Sequence, residues 1–212
     1  MPTDADNERI AARHDEILTP PQRIAPQPRE AVATQVQEAT QKLRDNVVNN
    51  AAPLPLELIP EIMFTMVPFA TLWDRLIDLT VKLQGPESRL PARDRKLAIL
   101  RTGWLCQAPY EFGEHVKQSK RIGFTTEEIE RVVSGSTAAE WDDHERAILC
   151  AAEELHAGAM VSNTTWAQLA LRLDEYQLVE LLVLIGQFTA TAYFQNALRI
   201  RLEPDNKGLA SR

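Results

Sequence analysis

The chain of 212 residues can form one well-buried domain with an extension, or two small ones. Apolar residues make up 44% and charged residues 25%; aromatics and glycine are scarce while Ala and Leu abound, which points to an all-α fold and away from sheet. A net charge of −7 with no basic stripe excludes nucleic acid as a default partner.

Residues 1–28 are polar, with prolines at 20, 21, 26 and 28 and no repeating apolar face, so a flexible N-terminal arm is expected there. The acidic opening MPTDADNERI lacks the features of a signal peptide. A helix is predicted from Arg29 to Asn49, with Val32, Val36, Ala39, Leu43 and Val47 along one stripe. Prolines 53, 55 and 60 then break the chain into short pieces. The next helix is predicted over 68–83, ended by Gly85 and Pro86.

From Pro91 the signals sharpen. An apolar helix is predicted over 92–106, and Pro109 stops it and opens the next, which runs over 110–122 to Gly123. Thr125 with Glu128, and Asp142 with Glu145, are capping boxes opening helices that end near Val133 and His156. Ser162 with Thr165, and Asp174 with Gln177, open two more. The last helix, 178–198, is apolar almost all round, so it is expected to be enclosed by protein or by a subunit interface. No uncharged apolar run reaches the roughly 18 residues of a membrane helix. Residues 29–212 are expected to form a single helical domain with its core over 68–203.

Several side chains have a structural reading. Lys117, Lys120 and Arg121 read as a solvated helix face, His144 as a helix-start residue and His156 as a helix-end cation. Trp73, Trp141 and Trp166 read as core. Cys106 and Cys150 lie inside apolar helical patterns, as buried thiols of a reducing cytosol do, so a cytoplasmic protein without a membrane partner is expected.

The segment 105–115, LCQAPYEFGEH, carries the candidate chemistry. Glu111 and His115 stand four apart and project from one helix face, where a carboxylate can orient an imidazole for proton transfer or simply form a helix-surface pair. Gly113 keeps that helix slim, leaving room for a ligand or a neighbouring helix. Glu111, Glu114 and His115 are also potential metal ligands, but no HExxH or paired-cysteine pattern accompanies them, and no metal or cofactor is assigned. Cys106 falls near a helix C-terminus, where the dipole disfavours a thiolate. Trp104 and Tyr110 flank the motif as core or as pocket wall; Gln187 and Asn196 either bond to neighbouring helices or line the pocket.

The segments 90–102 (LPARDRKLAILRT), 106–115, 122–129 (IGFTTEEI) and 141–147 (WDDHERA), with the long last helix, resemble the carboxymuconolactone decarboxylase-like, or AhpD-like, family. The likeness spans residues 23–203, beginning with Arg23 to Pro26. It implies an AhpD-like helical bundle, here with an N-terminal helical extension, that assembles into trimers or hexamers, with a dimer also open. The redox members carry Cys-x-x-Cys-x-x-x-His and an upstream glutamate. Laid on this chain, these positions fall on Ala108, Glu111, His115 and Lys96, so only the histidine is kept and no dithiol cycle can run. The decarboxylase branch also lacks the cysteine pair and uses no cofactor. The resemblance therefore implies a lyase, decarboxylase or isomerase of aromatic-catabolism type acting on a small carboxylated or lactone-like substrate. Its roles fall on His115 as acid/base, Glu111 as its orienter and Lys96 or Arg101 for the anion; Cys106, Tyr110, Gln187 and Asn196 are the remaining candidate substrate contacts. The alternatives are a non-catalytic oligomer that binds a metabolite or partner, and a metal-dependent enzyme.

Overall fold

The computed structural model describes residues 4–45 and 52–212. It is helical throughout, with no strand among the described residues. Two compact units emerge: one from Met1–Pro20 with Arg89–Arg212, the other from Pro21–Ser88. This partition differs from the expected single domain over 29–212 behind a flexible arm.

The reason lies at the N-terminus. Residues Asp4–Leu18 form a 15-residue helix, α1, where an arm was expected. Ile10 and Ile17 are its buried residues, at 6% and 4% exposure, two apolar anchors in a polar sequence. The remaining ties are polar: the Leu209 amide donates to His14 Nε2 at 3.0 Å, and Arg201 donates to the carbonyls of Leu18 and Pro20. Such anchors leave no 3.6-residue apolar stripe to read.

In the second unit, the helix expected over 29–49 appears as a 3-10 turn at Arg29–Val32 followed by α2, Ala33–Asp45. Val47 and Asn49 lie outside the described residues. Pro60 precedes α3, Glu61–Met66, whose residues from Ile62 onward are all buried. A 3-10 turn, Val67–Phe69, leads into α4, Ala70–Gln84. Arg29 stacks on Phe64 at 4.3 Å and donates to Leu56 O at 2.8 Å, pinning the proline-rich stretch. Between these helices lies a cavity of about 310 Å³, with Val36, Met63, Val67 and Trp73 in its wall.

The first unit is built around α5, Ala92–Leu105, on which α6, α7, α8 and α10 all pack. The run Leu97–Trp104 is buried residue by residue, so α5 is the enclosed helix. The next four are α6 (Pro109–Arg121), α7 (Thr126–Ser134), α8 (Asp143–Gly158) and α9 (Asn163–Leu169). Their ends obey the sequence signals. Thr125 with Glu128, Asp142 with Glu145, and Asp174 with Gln177 all form reciprocal capping boxes. Gly123 takes φ +99°, and the amide of Phe124 reaches back to Ser119 O at 3.1 Å, closing α6 as a left-handed cap requires.

The last helix, α10 (Glu175–Leu198), is enclosed within the chain on one side only. Leu178, Leu181, Leu184, Ile185, Phe188 and Ala192 face the core, whereas Val179, Val183 and Tyr193 are 58%, 41% and 64% exposed. Its length and hydropathy of 1.3 would suit a membrane span. Its buried face packs on α5 and α6. Trp141 is core as expected, but Trp166 is 40% exposed.

Candidate functional site

The site forms where α5 turns into α6. Gln107 occupies the turn with φ +47°, and the amide of Ala108 returns to Gly103 O at 3.0 Å. Asn196 Nδ2 donates to Cys106 O at 3.1 Å, and Arg13 Nε donates to Gln107 O at 3.0 Å, so the carbonyls of the turn that follows α5 are satisfied. Asn196 therefore serves as a helix cap, one of the two roles left open for it.

This turn sets α6 antiparallel against α5. Glu111 and His115, on its inner face, are 2% and 6% exposed. The expected pairing between them is not made. Neither carboxyl oxygen of Glu111 makes a hydrogen bond among the described residues. Burial holds its acid well above the usual carboxylate range. Gly103 makes room for it: a Cβ there would stand 3.3 Å from Glu111 Oε1.

His115 instead faces Lys96, whose Nζ lies 3.2 Å from Nδ1. Lys96 also donates to Gln118 Oε1 at 2.7 Å, and the edge of the Phe188 ring meets the imidazole at 4.9 Å. Desolvation, and then the Lys96 charge, drive His115 well below its ordinary value. Burial, then the neighbouring Arg95 guanidinium, lower Lys96 to about 7. Two like-charged groups this close hold one proton between them more readily than two. The pair thus sets an amine lowered to about 7 against an imidazole whose burial favours its neutral form, on the helix face that also buries Glu111. Gln118 and Phe188 were not legible as site residues, although Gln118 stands three residues beyond His115, on the same helix face.

The remaining expected residues scatter. Arg101 is 9% exposed, and its donors go to Val132 O at 2.9 Å and Val133 O at 2.8 Å, with Glu153 paired at 2.9 Å. It fastens the end of α7 to α5 in place of holding an anion. Gly135 permits this, because a Cβ there would lie 2.4 Å from Arg101 Nη2. Tyr110 is buried, with its hydroxyl 3.4 Å from Glu203 Oε1, and Gln187 is buried on α10 beside Phe188. Cys106 lies 3.9 Å from His156 Nδ1, and burial, then the nearby Glu111, push its thiol up to about 11. The room beside Gly113 is filled by the chain's own Asn206 side chain, not by a ligand. A second buried pair had no sequence signature: Asp94 and His144, 50 positions apart, meet at 2.8 Å between α5 and α8. No cluster of three or more potential metal ligands occurs among the described residues.

A sequence profile of the Carboxymuconolactone decarboxylase family matches residues 68–154. No curated protein matches the chain. Among solved structures, an uncharacterized peroxidase-related protein with an AhpD core from Ralstonia eutropha JMP134 aligns with TM-score 0.72 at 13% identity, over 88% of this chain and 94% of that one. The debrominase Bmp8, as a cysteine variant in complex with 2,3,4-tribromopyrrole, aligns with TM-score 0.68 at 14% identity, over 88% and 95%. A protein of unknown function from Agrobacterium tumefaciens, with a suggested antioxidant-defence role of AhpD type, aligns with TM-score 0.59 at 18% identity, over 64% and 95%. At these identities the likeness concerns the fold.

Proposed function

We propose, from the match of residues 68–154 to the carboxymuconolactone decarboxylase family and from the AhpD-like fold, that the chain is a member of that family and a cofactor-free acid/base lyase, decarboxylase or isomerase of small carboxylated or lactone-like metabolites. The observation that carries this reading is the Lys96–His115 contact at 3.2 Å, on the helix face that also buries the carboxyl of Glu111. Lys96 and Glu111 stand where redox relatives carry a glutamate and a cysteine. The neutral imidazole can accept a proton from carbon beside a carbonyl, or return one. Lys96, when protonated, can stabilise the enolate or carboxylate oxygen, and Glu111 can donate a proton. Cys106, with its thiol held protonated, is unsuited to thiol peroxidase work.

The test is turnover of a panel of carboxylated lactones and enolisable acids, without added metal, by the wild type, His115→Gln and Glu111→Gln. Loss in both variants with folding intact is expected. Turnover indifferent to either change would remove the chemistry from this site.

We also infer that the working form is a homo-oligomer assembled along α10. Its exposed residues Tyr176, Val179, Val183, Gly186, Ala190, Tyr193 and Ala197 recur in steps of three and four, the register of a helix–helix seam. A second copy of the same helix would meet it with a self-complementary surface.

A further inference from the structure

We propose that Lys96 is the imine-forming amine of this site, and that its substrates include small 3-oxo acids processed through a covalent ketimine. This rests on the reading of the Lys96–His115 site as a cofactor-free acid/base centre, and it assigns the lysine a bond-forming role that acid/base chemistry alone does not require.

Three features of the site converge on it. An amine must be placed before it can attack, and Lys96 Nζ is held by Gln118 Oε1 at 2.7 Å with His115 Nδ1 at 3.2 Å. An attacking amine must also be unprotonated and then shed a proton, and the imidazole beside it can take that proton. Burial and the Arg95 charge make the neutral amine accessible near pH 7, the condition under which lysine nucleophiles work. Finally, loss of water from the carbinolamine needs an acid, and Glu111, whose carboxyl burial raises well above its ordinary range, lies on the same buried face of α6 as His115. Arg95, next to Lys96 on α5, adds the positive charge that favours an anionic oxo acid.

The reaction balances without a further reagent. The amine nitrogen bonds to the carbonyl carbon, the oxygen leaves as water, and the protonated imine forms. The bond to the carboxylate then breaks, its electron pair moves into the imine to give an enamine, and carbon dioxide departs. The enamine carbon takes a proton from the site's acid, and water releases the ketone and restores the amine.

The probe is acetoacetate with sodium borohydride, applied to the full chain and followed by intact-mass and peptide mapping. The expected result is one reduced adduct, on Lys96 and absent from Lys96→Arg, with Lys42, Lys82, Lys117, Lys120 and Lys207 unmodified. In the wild type alone, trace labelling with acetic anhydride across pH 5–11 should show Lys96 reacting with a midpoint near 7, well below the other lysines, so the test survives a variant that misfolds. Adducts spread over the other lysines, or none on Lys96, overturn the proposal. Lactone turnover that persists in Lys96→Arg without an adduct keeps the acid/base reading and removes the imine. An adduct on Lys96 without lactone turnover does the reverse.

Discussion

Gly113→Ala tests how α6 is held in place. A Cβ at this position would stand 1.7 Å from Asn206 Oδ1 and 2.5 Å from its Cγ, so the Asn206 side chain must leave. Asn206 is 6% exposed, and it donates to Tyr110 O at 3.0 Å and Glu114 Oε1 at 2.9 Å while accepting from the Gly208 amide at 2.7 Å. Three buried hydrogen bonds at about 1 kcal/mol each give a loss of roughly 3 kcal/mol. Alanine is the better helix former by about 1 kcal/mol, which offsets part of that loss. The expected net destabilisation is therefore about 2 kcal/mol, a fall in Tm of roughly 4–8 °C for a chain of this size. Urea and thermal unfolding followed by far-UV circular dichroism would measure it, in the wild type and in an Asn206→Ala background. In that background the same substitution should be neutral or stabilising, because only the helix-propensity gain remains. A neutral Gly113→Ala in the wild type, or an undiminished cost without Asn206, would refute the account of what Gly113 is for.

Other perturbations address the site and its frame. The folded chain lowers Lys96 to about 7 from an ordinary 10.5, so the unfolded chain binds more protons in that window and native stability falls as pH drops through it. Lys96→Met should accordingly stabilise more at pH 6 than at pH 10, by roughly 4 kcal/mol, in chemical unfolding at the two pH values. Equal effects at both would show that the amine is not desolvated. Arg101→Met strands two carbonyls and Glu153, and should cost about 3–5 kcal/mol in unfolding experiments while leaving the KM of the folded fraction unchanged. A selective rise in KM would return Arg101 to substrate binding. Val183→Glu places a charge in the exposed seam of α10, and sedimentation should report a smaller assembly with unchanged helicity.

Local signals explain how much of the fold was readable. The capping boxes at Thr125, Asp142 and Asp174, and the stop at Gly123, act within one turn of backbone, so the helix ends after residue 91 could be read from neighbours three residues apart. The N-terminus was not readable, because α1 is held by Ile10, Ile17 and by bonds to residues nearly 200 positions away. For α10, the composition gave the helix but not which side lies on α5. For the site, spacing correctly put Glu111 and His115 on one face of α6, yet it assigned them to each other.

The sequence by itself determined an all-helical chain, the helix ends after residue 91 and the absence of a Cys-x-x-Cys pair, since each rests on residue identity or on contacts within a few positions. Only the tertiary structure decided the partnerships. Lys96 rather than Glu111 meets His115, Arg101 secures α7, Asn206 fills the notch at Gly113, and Glu111 is left buried with neither carboxyl oxygen hydrogen-bonded among the described residues. Each outcome depends on which side chains compete for a buried hydrogen bond once the helices dock, and on how much water that docking removes. Neither quantity is written in the order of residues along the chain.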